Sequence, residues 1–296
     1  MNRTWTYFTR LVAVERRKLF GRALLWAELG ILALFMGVIY VALIAALNKG
    51  GTPGTPPEAI EAFRRSLYWP AGLYSAFTFA NGGELGGMFV AVLVGAFVAQ
   101  EYTWHTLHFW LSRGVARTAY LLAKSAVIVL ALLLLVLTAL VVGGGVTGVF
   151  TYLEMGTIPL KEISLLTFVL NFLRTALTLL PYAALTLFLA VVSRSTMVAI
   201  GVSMAYSLLV ENLIVELLAL FSPDVARGAR FLPTMLSKSL MQLVSPAAET
   251  QVQVGMQTQA GSVLLSPNVA ALLLVVYTLV LLGLSLWFFR RQDITV

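Results

Sequence analysis

The chain contains no cysteine. Disulfides, thiolate metal sites and a cysteine nucleophile are therefore excluded. Histidine is almost as scarce, and the two residues, His105 and His108, fall in one short segment. Charge is scarce as well. Only 11% of the 296 residues are Asp, Glu, Lys or Arg, against about 25% in soluble domains. So few charges do not cover the surface of a soluble fold. No Gly-Lys pair occurs anywhere, so there is no P-loop, in which backbone amides cradle phosphate and a lysine meets its charge. No polar stretch is long enough for a nucleotide-binding domain, and ATP chemistry must come from another chain.

What the chain has is apolar length. Hydrophobic residues make up 59% of it, and its mean hydropathy is +0.90. A hydrocarbon core of about 30 Å takes about 20 apolar residues in a helix. Six runs fit: 23–47, 84–100, 124–150, 173–193, 197–220 and 268–289. Each is apolar all round, as lipid or bundle spans are. The expected fold is all-α, a polytopic membrane protein with six transmembrane helices. It divides into an N-terminal cytoplasmic interfacial segment, 1–22, and a six-helix transmembrane domain, 23–296. The first 22 residues carry Arg3, Arg10, Arg16, Arg17, Lys18 and Arg22. The run after them is too long for a signal-peptide core and lacks a clear cleavage site.

The net charge of +7 does not read as nucleic-acid binding, because the basic residues are spread between the apolar runs. Topology explains them better. With the N-terminus inside, twelve Lys and Arg lie in inner segments and seven in outer ones, and Arg174 falls within a span. Both termini are then cytoplasmic. Outside, the turn-rich 48–57 leads into a short interfacial helix with Tyr68 and Trp69 at headgroup level. Residues 221–267 predict short helices or a partly re-entrant cap. Inside, residues 5–22 suit a helix lying on anionic headgroups. Gly82, Gly83, Gly86 and Gly87, and then Gly143, Gly144, Gly145 and Gly148, predict close helix contacts.

The segment 101–124 carries most of the functional signal. Read as a helix, it places Glu101, His105, His108 and Ser112 on one face, and Trp104, Leu107 and Leu111 on the other. Gly114 then ends it. Such a helix rests on lipid or docks into a partner's groove. Three potential ligands on one face without cysteine are a weak metal signature, so no metal, cofactor or catalytic residue is assigned.

These same residues resemble a family. Glu101, Thr106-Leu107, Leu111-Ser112-Arg113, Arg117 and Ala123-Lys124 look like the cytoplasmic loop of ABC-2 type transporter permeases. The closing Phe289-Arg290-Arg291-Gln292-Asp293 is similar, with Gln292 interrupting the commoner run of Arg followed by Asp, and so is Phe231-Leu232-Pro233. The likeness extends to length, span count and loop sizes. It implies a six-span permease, paired as a homodimer or heterodimer in the cell (plasma or inner) membrane. Separate ATP-binding subunits holding ATP and Mg would drive it. Their coupling contact would be Glu101, Trp104, His105, Leu107, His108, Leu111, Arg113 and Arg117, with a smaller one at Ser193, Arg194 and Ser195. The chain itself would be no enzyme. Export of a hydrophobic or amphipathic compound (drug, antibiotic or peptide) is the activity such a likeness implies. The alternatives are an ion-coupled transporter or channel working without an ATPase, and a structural subunit of an ABC assembly.

Charges inside spans are costly and often functional. At about 1.5 Å per residue, Arg174, Glu211 and Glu216 all lie toward the outer side; either Arg174 and Glu216 simply reach water there, which is the main reading, or Arg174 pairs with Glu211 or Glu216. Glu28 is expected to snorkel inward from the first span, and Glu84 to lie near the outer end of the second.

Overall fold

The structure, a computed structural model, describes residues 2–49, 56–104, 106–112, 114–159, 164–211, 213, 214, 217, 227–244 and 264–292. Among these there is helix and turn but no strand. Helix α1 (Asn2–Phe20) precedes a tight turn at Gly21, whose N–H bonds the Arg17 carbonyl at 2.9 Å. Then follow α2 (Ala23–Asn48), α3 (Pro57–Leu67), α4 (Ala71–Ala80), α5 (Leu85–Thr103), α6 (Thr106–Leu111), α7 (Arg117–Met155) and α8 (Leu165–Ser193). After the Ser193–Ser195 turn, α9 (Thr196–Ala205) runs into a π-helical turn, Tyr206–Val210. A 3₁₀ turn at Arg227–Phe231, α10 (Pro233–Met241) and α11 (Pro267–Arg291) complete the order.

Five of these helices, α2, α5, α7, α8 and α11, are long and apolar enough to cross a membrane. The chain is therefore a multi-pass membrane protein. Its outer surface agrees: Leu34, Leu153, Leu165 and Met197 are each more than 70% exposed. An apolar surface of that extent has lipid as its natural solvent. α5 and α8 are the central helices, and α2 and α11 lie mostly on the outside.

Local chemistry sets the boundaries. Pro57, Pro233 and Pro267 stand in the first turns of their helices, where a missing N–H costs nothing. Gly156, in the left-handed region at φ 71°, ends α7, and Gly114 at φ 78° separates α6 from α7 as the sequence predicts. α8 runs through Pro181 and stops at Arg194, itself left-handed at φ 54°. Ser195 caps α9 by accepting from the Val198 N–H.

Among the described residues the sixth expected run, 197–220, forms only the shorter apolar helix Thr196–Val210, and two other runs also differ from the sequence reading. The predicted second span, 84–100, is preceded by α4, a ten-residue apolar helix whose inward face is buried. It is too short to cross by itself, and it packs mainly against α7. The predicted third span, 124–150, is the middle of a 39-residue helix that is roughly 58 Å long.

Lipid is as apolar as leucine, so burial alone does not hold these helices together. Close packing and hydrogen bonds do. Gly143 shows this: a Cβ there would lie 2.7 Å from the Ala76 Cβ and 2.9 Å from the Tyr40 ring, so α2 and α4 both press on α7 at that point. Trp69 ties the start of α4 to α7. Its indole N–H reaches the Gly144 carbonyl at 2.9 Å and Thr147 Oγ1 at 3.1 Å, and its backbone N–H reaches Thr151 Oγ1 at 3.0 Å. Nearby, the Arg64 side chain of α3 lies 3.8 Å from Glu154 near the end of α7.

Candidate functional site

The end of the bundle that carries α1 gathers four charges from three helices, three of them buried and Lys18 half-buried. Glu15 and Lys18 come from α1, Glu101 from the last turn of α5, and Lys124 from the second turn of α7. Each lysine reaches both carboxylates. Lys18 Nζ lies 2.5 Å from Glu15 and 3.1 Å from Glu101; Lys124 Nζ lies 3.3 Å from Glu15 and 2.6 Å from Glu101. Glu15, Glu101 and Lys124 are each 2% exposed or less. The Tyr120 hydroxyl donates to Glu101 as well.

Sequence periodicity brings these groups together. Leu11, Glu15 and Leu19 recur at i, i+4 and i+8, which is the face α1 turns toward α7. Arg16 and Arg17 point away and are exposed. Lys124 is four residues beyond Tyr120, so both share the α7 face that meets Glu101.

Burying these charges carries a large desolvation cost. It is offset here because the charges alternate, sum to zero, and leave no carboxylate oxygen unused. Aromatic rings complete the shell. Lys18 sits 4.5 Å from the Trp110 ring of α6, and Lys124 sits 4.4 Å from the Phe97 ring. Arg22 lies over Trp104 at 5.3 Å. With every charged atom engaged, the quartet is a joint and not a reaction centre.

The predicted coupling residues fall into different places. Glu101 does not share a helical face with Ser112, because α5 stops at Thr103 and the chain turns at Trp104 before α6 begins. Glu101 is the pivot of the buried quartet and is unavailable to a partner. Trp104 is 57% exposed, whereas Leu107 is buried. His105 and Arg113 lie outside the described residues, as do the side chains of His108 and Leu111. Arg117 turns to the C-terminal end of α11, donating to the Arg290 carbonyl at 2.9 Å and the Gln292 carbonyl at 2.7 Å.

Gln292 joins the remaining pieces. Its Nε2 donates to the Val191 carbonyl at 2.5 Å, one turn before the Ser193, Arg194 and Ser195 turn, and its Oε1 accepts from Tyr102 at 3.3 Å. Loop, turn and tail thus meet at one end of the bundle. Gln292→Ala removes two side-chain bonds of about 1 kcal/mol each. Limited trypsin digestion is expected to cut after Arg290 or Arg291 roughly 5- to 30-fold faster than in the wild type; an unchanged rate shows that Arg117 alone holds the tail.

The opposite end holds a second polar cluster. Glu211, fully buried, accepts hydrogen bonds at Oε2 from Tyr182 at 2.7 Å and from Thr234, which joins α8 to α10. Arg174 is not its partner. Arg174 Nη1 donates to Asn171 at 2.9 Å, and among the described residues it forms no ion pair with Glu211. Tyr182 and Thr234 already occupy the carboxylate oxygen that faces α8. Glu216 lies outside the described residues. Glu28 does not snorkel: it is 5% exposed, with neither carboxylate oxygen bonded among the described residues. Glu84 is exposed at the start of α5.

Sequence reasoning missed Glu15, Tyr120 and the pairing roles of Lys18 and Lys124. The available signal was a set of isolated opposite charges at one depth: Glu15 among arginines, Lys124 inside an apolar run, and Glu101 at the end of another.

Fold and site together define a helical multi-pass membrane protein with a charge-sealed end. Residues 83–295 match the profile of a family described as a protein of unknown function (DUF2705). The chain belongs to that family. No curated protein matches it.

Proposed function

We propose that this chain is the membrane-spanning permease subunit of an ATP-driven ABC-2 type transporter, powered by a separate ATP-binding subunit. The observation that carries this reading is the arrangement at the basic end. A short helix, α6, sits between α5 and α7, the exposed Trp104 stands at its entry, and the quartet clamps its base to three helices. A push on α6 then reaches the bundle through Glu101 without being lost in a loose loop.

The docking contact is Trp104, with His105, His108, Leu111 and Arg113, flanked by the Ser193–Ser195 turn. Glu101, Leu107 and Arg117 anchor that contact from behind. Six spans fit the path of the chain. α8 ends beside Gln292 at the basic end, whereas α10 lies near the start of α8, where the Asn171 side chain donates to the Val244 carbonyl at 3.4 Å. The apolar stretch beginning at Thr196 has to cover that distance. Both termini then face the cytoplasm, where the exposed arginines of α1 meet anionic headgroups. Pairing with a second permease chain and export of an amphipathic compound complete the reading.

The test is co-expression with a candidate ABC ATP-binding subunit from the same genome, followed by co-purification and an ATPase assay. Trp104→Ala is expected to lower retention of the ATPase at least tenfold, since a buried interface aromatic is worth about 2 kcal/mol or more, while the permease itself stays folded. Flux through the chain alone in liposomes, without ATP or partner, overturns the proposal.

A further inference from the structure

Glu211 does more than tie α8 to α10. Its Oε2 is held by Tyr182 and Thr234, and those two hydroxyls lie 3.1 Å apart. Its Oε1 is equally buried and completes no hydrogen bond among the described residues, although the Tyr206 hydroxyl and the Thr234 backbone N–H also bear on this carboxylate. Ser237 stands one turn along α10 from Thr234, on the same face, and its buried hydroxyl is also unpartnered. An apolar core seldom keeps two such oxygens unsatisfied.

The backbone is shaped around this carboxylate. The Glu211 N–H bonds the Tyr206 carbonyl, closing a wide i→i+5 turn directly before the acid. Single π turns of this kind concentrate at functional sites. Across the site, the Gly82 N–H donates to Thr178 Oγ1 at 3.0 Å. A Cβ at Gly82 would collide with the Tyr182 ring at 2.6 Å, and one at Gly83 would crowd Thr234 at 3.1 Å. The Asn81–Glu84 turn is thus packed onto the two residues that hold the carboxylate.

The charge is what remains unanswered. Among the described residues no Lys or Arg nitrogen lies within ion-pair distance of Glu211. Lys238 on α10 acts on it only at longer range and also acts on Glu84. The other titratable groups facing it are Tyr182 from α8, Tyr206 from the π turn and Tyr277 from α11. A buried carboxylate without a counter-charge is strongly unfavourable, and a closed site admits only a small occupant.

We propose that Glu211 binds a small monovalent cation, a proton or a sodium ion, through its free Oε1, with the unused Ser237 hydroxyl as a second oxygen. Occupancy neutralises the acid and fixes the π turn against α10. Emptying the site leaves a buried charge whose relief requires the π turn or α10 to move, or Lys238 to swing in. The site works independently of any ATPase.

The experiment uses the full chain, purified alone in lipid nanodiscs, with dicyclohexylcarbodiimide as the probe. This apolar reagent modifies carboxyl groups buried in a membrane phase. Peptide mass spectrometry reads the rate at Glu211 against the exposed Glu58. Glu211 is expected to label several-fold faster than Glu58. If sodium replacing choline suppresses this at fixed pH, the occupant is sodium. If only alkaline pH suppresses it, the occupant is the proton. A Glu211 rate that matches Glu58, or that ignores both pH and sodium, overturns the proposal. Ser237→Ala leaves both Oε2 bonds in place, and it is expected to shift the protecting sodium concentration or pH several-fold; no shift removes Ser237 from the site. In Glu211→Gln the unfolding temperature is expected to lose its dependence on both ions. Because no ATP-binding subunit is present, these outcomes are read separately from the transporter assignment.

Discussion

Lys124→Met is expected to cost about 3–5 kcal/mol, the range for removing one partner from a buried ion pair. It leaves Glu15 and Glu101 sharing Lys18 alone, with one carboxylate oxygen on each left without its counter-charge. Thermal unfolding of the detergent-purified protein measures the loss. Lys49→Met, an exposed lysine at the end of α2, is the control and is expected to stay within about 0.5 kcal/mol of wild type. Combining Lys124→Met with Glu15→Gln restores neutrality around the remaining Lys18–Glu101 pair. The double variant should therefore melt above Lys124→Met alone, with a coupling of about 1–3 kcal/mol. Equal melting of Lys124→Met and Lys49→Met, or no recovery in the double variant, contradicts the closed quartet.

The second large effect comes from space. Gly143→Leu inserts a branched side chain where even a Cβ lies 2.7 Å from Ala76 and 2.9 Å from the Tyr40 ring. Overpacking of this kind costs about 1–3 kcal/mol and often more, and here it displaces both α2 and α4 from α7. Two residues on, Gly145 has nothing within 4 Å of its Cβ position. Gly145→Leu is therefore expected to be nearly neutral in the same melting assay. Similar losses at both positions would mean that helix packing around Gly143 is not the cause.

Much of the fold was legible because a membrane imposes one simple demand, a run of about 20 apolar residues. α2, α5, α7, α8 and α11 meet it and were found, with Gly114 as the break after α6. α4 was not found: its ten residues are as apolar as a span but too short to register as one. The site was harder. Local periodicity placed Glu101 on an exposed face, since a helical pattern drawn through 101–112 contains no signal that the chain turns at Trp104. What decides the fate of Glu101 is the meeting of residues 15, 18, 101 and 124, a tertiary event that spacing does not encode. Glu211 was legible as a deep acid, but its partner was misjudged. Arg174 satisfied the charge rule, whereas hydroxyls from Tyr182 and Thr234 satisfied the geometry.

Helix α7 touches both faces of the molecule. Its first turns carry Tyr120 and Lys124, and its last turns carry Thr147 and Thr151 under Trp69 and Glu154 beside Arg64. A helix of roughly 58 Å is a stiff beam. A tilt of about 10° pivoting at Lys124 would sweep the far end, about 46 Å away, through about 8 Å. Any displacement at the charged end would therefore be felt, along one stiff helix, at the end that packs on Trp69 and Arg64.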